Sequence, residues 1–110
     1  MNVTELAEKL GGKIVSGENG RDRPVRGVYC CDLLSRVMAR AAGGDAWITV
    51  HTHINTVAAA SFAELACIII PEGIETEDAT VKRAAGENIP VITTELSAYK
   101  VCCIACGCGL

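Results

Sequence analysis

Both histidines of the chain lie in one short stretch, His51-Thr52-His53-Ile54-Asn55. Two imidazoles, a hydroxyl and an amide at a helix N-terminus are suited to an anion, because unpaired backbone N–H groups and the helix dipole favour negative charge there. The same residues also have a plain structural reading, in which Thr52 caps the helix, His53 packs and His51 faces water. A His-x-His pair is in addition a metal-binding spacing, with Glu72 as a third ligand. Glu72-Gly73 reads as a turn that needs glycine, or as a carboxylate offered to a ligand or a neighbouring subunit.

The cysteines are the second group that could do chemistry. There are seven, an odd number with no secretory signal, so reduced thiols are expected. They fall at Cys30-Cys31, at Cys67, and at Cys102, Cys103, Cys106 and Cys108. On a helix beginning near Glu95, Leu96, Tyr99, Cys103 and Cys106 share one face, and a buried free cysteine behaves as a small hydrophobe. The spacings Cys103-x-x-Cys106 and Cys106-x-Cys108 also suit thiolate binding of zinc or an iron–sulfur cluster. Four thiols in seven residues are too crowded to enclose one ion without a loop or a second chain.

Nucleotide and hydrolase motifs are missing. Gly12-Lys13 has Ala7 where a phosphate loop needs its first glycine, and no Ser or Thr follows. Gly17-x-x-Gly20 is only a fragment of a dinucleotide fingerprint, and no G-x-S-x-G elbow occurs. Cys31 with His53 as base is a conceivable nucleophile pair if both reach one sheet edge.

Elements must position these groups. The 110 residues are half apolar but only 4% aromatic, so the core is aliphatic and fits one domain, 1–110. A net charge of −3 argues against a nucleic-acid partner. Residues 1–40 carry seven basic and five acidic side chains (+2), and residues 41–110 carry three and eight (−5). Arg21, Arg23 and Arg26 form the one basic cluster, on a loop expected to be solvated. No apolar run approaches the roughly 20 residues of a membrane helix, and the N-terminus is acidic and amphipathic, so no membrane contact and a cytoplasmic address are expected.

Asn2 with Glu5 forms a capping box for a helix carrying Val3, Leu6, Ala7 and Leu10, stopped by Gly11-Gly12. Lys13–Ser16 reads as a strand, Glu18–Pro24 as a loop and Val25–Cys30 as a strand. Asp32 is a cap for a helix over Leu33–Ala42, with Leu34, Val37, Met38 and Ala41 inward. Ala46–Val50 is a strand, followed by a helix that Thr52 or His53 is placed to cap, with Ile54, Val57, Ala58, Ser61 and Leu65 on one face. Ala66–Ile70 is a strand covered on both sides. Thr76 caps a helix to about Gly86, Pro90–Ile92 is the last strand, and Thr94 caps the last helix.

Strands alternating with helices predict an α/β fold with a mostly parallel sheet. Ligands of such sheets bind beyond the carboxyl ends of the strands, where strand order reverses. The turns there hold Asp32, Thr49, His51, Thr52, His53, Asn55, Glu72, Gly73 and Thr94, the candidate ligand-binding residues.

The ordered string Arg26-Gly-Val-Tyr29, Asp32-Leu-Leu-Ser35-x-Val-Met38, Gly44-Asp45-x-Trp-Ile-Thr49-x-His51-Thr-His53-x-Asn55, Ile68-Ile-Ile-x-Glu72-Gly73, Ile89-Pro90, Thr94 and Ser97-Ala-Tyr resembles the small stand-alone DRTGG domains. A contiguous Asp-Arg-Thr-Gly-Gly is absent. The resemblance implies a fold similar to the N-terminal domain of HPr kinase/phosphorylase, without kinase activity, since the phosphate loop belongs to that enzyme's other domain. Taken with the residues above, the first reading is a non-catalytic regulatory or ligand-binding module that takes an anionic small molecule or nucleotide at the rim. The apolar and cysteine-rich last ten residues are more than a solvated helix would carry, so the module is expected to be homo-oligomeric, with the helix from Glu95 to about Gly107 at the contact. Stand-alone members resemble accessory proteins of iron-only hydrogenases, so a redox or hydrogenase-associated partner is the alternative expectation. In that reading the metal ligands are Cys102, Cys103, Cys106 and Cys108, holding zinc or an iron–sulfur cluster. The cysteine-rich end departs from the family's usual aliphatic and charged last helix.

Overall fold

Asn2 opens the first helix, α1 (Val3–Lys9), through the reciprocal pair expected from its spacing. Its side chain accepts the Glu5 N–H, and the Glu5 carboxylate accepts the Asn2 N–H, both at 2.9 Å. The computed structural model describes residues 1–110. After α1 come β1 (Lys13–Ser16), β2 (Gly27–Cys30), α2 (Leu34–Arg40), β3 (Asp45–Ile48), α3 (Asn55–Phe62), β4 (Cys67–Ile70), α4 (Asp78–Gly86), β5 (Val91–Thr93) and α5 (Ala98–Gly107).

The five strands form one sheet in the order β1-β5-β4-β3-β2. β2 to β5 are parallel, and β1 joins β5 antiparallel, with Lys13 opposite Thr93. The pleat divides the core in two. Ala46, Ile48, Cys67, Ile69 and Ile92 point to one face, where α1 and Val101 of α5 cover them. Trp47, Ile68, Ile70 and Val91 point to the other, under Val37 of α2, Val57, Ala59 and Ala60 of α3, and Ala84 of α4. The Trp47 indole is fully buried and donates to the Cys31 carbonyl at 2.7 Å, fixing the exit of β2 against β3.

Several local expectations are corrected. Strand order does not reverse among the parallel strands, because all three crossovers step the same way. The change of side comes instead between α4 and α5, which cover opposite faces. Asp32 does not cap α2, whose cap residue is Leu33 with no side-chain bond. Thr76 does not cap α4; Glu77 stands at that position. Thr94 does not cap α5, which starts at Ala98 under Ser97, whose hydroxyl accepts the Lys100 N–H. Neither Thr52 nor His53 is the cap of α3, where Ile54 precedes the helix.

The inward faces also shift. α3 buries Thr56, Val57, Ala59 and Ala60, while Ala58 and Ser61 are exposed. Met38 of α2 is exposed. α5 buries Val101 and Ala105, and turns Tyr99, Cys103 and Cys106 to water. In these Ala- and Cys-rich helices small side chains fit either side, so apolar periodicity does not select the packed face.

Candidate functional site

The turns after β2, β3, β4 and β5 lie along one rim of the sheet, as parallel strands require. At its β2–β3 end, Asp32 Oδ1 accepts two hydrogen bonds, from Thr49 Oγ1 at 2.8 Å and from the Val50 N–H at 3.0 Å. Thr49 is buried, and its hydroxyl also accepts the His51 N–H at 3.2 Å. The carboxylate that failed to cap α2 thus pins the path of the chain as it leaves β3.

From there the chain runs into the histidine turn. His53 Nδ1 accepts the Asn55 N–H at 3.2 Å, and the His53 carbonyl accepts both the N–H and the hydroxyl of Thr56. The Val57 N–H goes to Ile54 O. The first turn of α3 therefore spends its own donors internally, which corrects the expectation that they stand free. The free donors lie one step earlier. The N–H groups of Thr52, His53 and Ile54, three in succession, have no acceptor within the chain. With Nδ1 accepting, a neutral His53 carries its proton on Nε2, so the exposed ring edge is a further donor. Unpartnered amides at such a turn are donors that an anion can accept from.

Thr52 is tied to the next element. Its carbonyl accepts the Thr80 hydroxyl at 2.6 Å, and its own hydroxyl approaches Glu77 at 3.4 Å. Sequence reasoning missed Glu77 and Thr80, because only the packing of α4 beside α3 brings them there.

Glu72, Gly73 and Thr94 form a separate group at the β4–β5 end. Glu72 and Gly73 both adopt left-handed backbone, with φ of 63° and 67°. The Glu72 N–H donates to Leu96 O and the Gly73 N–H to Thr94 O, at 2.8 and 2.9 Å. Thr94 is buried, and its hydroxyl donates to Leu10 O at 2.9 Å while accepting the Leu96 N–H. No hydrogen bond joins this group to the Asp32–Thr49–His51 group.

Metal and nucleophile arrangements do not assemble. No three His, Cys, Asp or Glu side chains come together to hold an ion, neither His51, His53 and Glu72 nor the four tail cysteines of one chain. Cys31 Sγ points to Leu33 O at 3.9 Å and makes no bond to His53. Cys30 meets Cys102 of α5; partial burial and the neighbouring Cys102 thiol raise its pKa to about 11. A hydrogen bond with Cys103 raises the phenol of exposed Tyr99. The arginine cluster lies at the opposite end of the strands, where Arg23 and Arg26 share a cavity of about 520 Å³ with Glu64 and Glu87.

The pattern that defines the DRTGG domain matches residues 5–105. The chain belongs to the DRTGG domain family. The fold is shared with a solved structure of the CBS and DRTGG domains of the regulatory region of Clostridium perfringens pyrophosphatase, complexed with its activator diadenosine tetraphosphate. The TM-score is 0.76 at 16% identity, covering 94% of this chain and 45% of that one. This DRTGG chain thus spans less than half of that neighbour, and the likeness is one of fold. No curated protein matches the sequence.

Proposed function

We propose that this DRTGG domain is a non-catalytic regulatory module that binds an anionic small molecule, of the nucleotide class, at the rim formed by Asp32, Thr49 and residues 51–55. The observation that carries this reading is the run of unpartnered amides at Thr52, His53 and Ile54, flanked by both imidazoles and held in place by Asp32. The neighbouring pyrophosphatase region, which binds diadenosine tetraphosphate, supports the ligand class. The rim offers donors for phosphate oxygens and no nucleophile paired with a base. The test is a titration of amide shifts with adenosine monophosphate, diadenosine tetraphosphate and inorganic phosphate. The expected result is a saturable change at residues 52–55. Binding that leaves those four amides unmoved overturns the assignment.

The module acts as a homo-oligomer in this reading. Tyr99 is 75% exposed on α5 beside exposed Cys103 and Cys106, and β2 leaves its outer edge unpaired. An exposed aromatic side chain with two thiols, on a helix packed against the edge strand, suits a second copy of the chain. Truncating the tail would remove the buried Val101 and Ala105, so the variant to use is Tyr99→Asp. Sedimentation at micromolar concentration is expected to give a dimer or higher multiple for the intact chain and a folded monomer for the variant. A monomeric intact chain refutes the contact.

A further inference from the structure

The seven free thiols are placed unevenly about the sheet. Cys67 is sealed in the core, and Cys103 and Cys106 face water from α5. Cys31 packs into the cluster on the Trp47 face. Its neighbour Cys30 belongs to the other face. Cys30 stands in register with Ile48 of β3, and parallel neighbours in register share a face, so its side chain lies on the side that α5 covers. Val28, two residues earlier on β2, packs into the same cluster as Ile48. Cys102 packs against that cluster from the helix. α5 rests on β2, and the thiols of Cys30 and Cys102 meet at that contact. The two residues are 72 positions apart in the sequence.

A disulfide needs Cβ atoms about 4 Å apart and sulfurs about 2 Å apart. Two adjacent thiols close the remaining distance by turning about one side-chain bond each. A bond between Cys30 and Cys31 would instead have to join opposite faces of the sheet. The pair is also within reach of a small molecule, because Cys30 is exposed, Cys102 is half-buried and β2 is an edge strand. Burial and the Cys102 thiol raise the pKa of Cys30 to about 11, which makes it a poor leaving group. Attack on the Cys102 sulfur of a closed bond would have to expel that thiol, so the bond persists once formed.

We propose that Cys30 and Cys102 are a redox modification site, closing reversibly into an intrachain disulfide by exchange with a small-molecule disulfide. One of the two cysteines loses its proton and attacks a sulfur of the small disulfide. A mixed disulfide forms, and the first small thiolate leaves and takes up the proton. The second cysteine loses its proton and attacks the protein sulfur of that mixed disulfide, expelling the second small thiolate, which is protonated in turn. Two cysteine thiols are oxidised to one disulfide, and the small disulfide is reduced to two thiols. The product ties the last helix to the edge strand. It shares no residue with the histidine turn.

Oxidised glutathione is the probe, applied to the reduced full chain, with remaining thiols then blocked by iodoacetamide. Trypsin cuts after Arg26, Arg36 and Lys100, which leaves Cys30 and Cys31 on residues 27–36 and the four tail cysteines on residues 101–110. The expected product is a single chain in which these two peptides are joined. Cys30→Ser and Cys102→Ser are each expected to abolish the joined peptide, while Cys31→Ser and Cys103→Ser retain it. Cys30 is exposed, so its serine variant keeps the fold and decides the pairing even if Cys102→Ser does not fold. The oxidised chain is expected to unfold at a urea concentration higher by about 1 M, because the bond closes a long loop of the unfolded chain, and dithiothreitol is expected to reverse the shift. A joined peptide in Cys30→Ser, a bond between two chains, or glutathione left on the chain as the end product overturns the pairing. An unchanged or lowered urea midpoint overturns the geometry, since the bond would then form only by straining the fold.

Discussion

Asp32→Ala is expected to weaken nucleotide binding at least about tenfold, although it removes a negative charge beside the anion site. Coulomb's law alone predicts the reverse, because a carboxylate repels phosphate. The structural role of Asp32 opposes that effect and should exceed it. One oxygen, Oδ1, holds both the Thr49 hydroxyl and the Val50 N–H, and Thr49 in turn holds the His51 N–H. Without that acceptor the chain leaving β3 loses its anchor, and the turn that carries the unpartnered amides of residues 52–54 is no longer held. Repulsion between exposed charges is screened by water and salt and is worth a fraction of a kcal/mol. A disordered donor array must be re-ordered on binding, which costs more. Asp32→Asn separates the two effects. It keeps the Oδ1 acceptor and removes the charge, so it is expected to bind as well as the natural chain or slightly better. The alanine variant is also expected to lose about 2 kcal/mol of stability, read by urea unfolding, for two hydrogen bonds to an ionised acceptor. Tighter binding by Asp32→Ala would show that charge, not position, governs the rim.

The histidine turn was legible in the sequence because its place depends only on alternation. A strand that ends at Ile48 and a helix that follows put residues 49–54 on the rim whatever the rest of the chain does. The capping box at Asn2 was legible for the same reason, since both partners lie within one helical turn. Two of the other caps mislead through a common cause. Asp32 and Thr94 each stand before a helix and have the right side chain, but sequence does not show competing demands from across the sheet. Asp32 is claimed by Thr49 and Val50, and Thr94 by Leu10, which is 84 residues away. Thr76 is claimed by nothing in the protein. The place of β1 was illegible because the approach of Lys13 to Thr93 depends on β1 joining the sheet antiparallel beside β5. The single-sequence pattern established that a strand was there, not its direction or its neighbour.

Alkaline unfolding controlled by one thiol is the other large effect expected. Cys67 opens β4 in the middle of the sheet and is completely buried between Ala46, Ile69 and the helices of the α1 side. Burial pushes its pKa from the ordinary 9.0 to about 12, and Arg23 lowers it only slightly against that trend. A thiol that holds its proton more tightly when folded stabilises the fold fully below pH 9, where both states are protonated. Above that the unfolded chain ionises while the folded chain does not, so stability falls by about 1.4 kcal/mol per pH unit. The loss runs until the folded thiol also ionises near pH 12 and sums to about 4 kcal/mol, a large part of the 5–15 kcal/mol that domains of this size possess. Cys30 acts in the same direction but is exposed, so water reduces its share. Cys67→Ala is expected to lower stability at neutral pH by about 1 kcal/mol through the small cavity it leaves. Its dependence on pH above 9 should nonetheless be flatter than that of the natural chain. Urea midpoints at about pH 8, 9 and 10 measure this directly. Parallel curves for the natural chain and Cys67→Ala would mean that the buried thiol ionises in the folded state, and that β4 opens to water more readily than its packing between two helical layers implies.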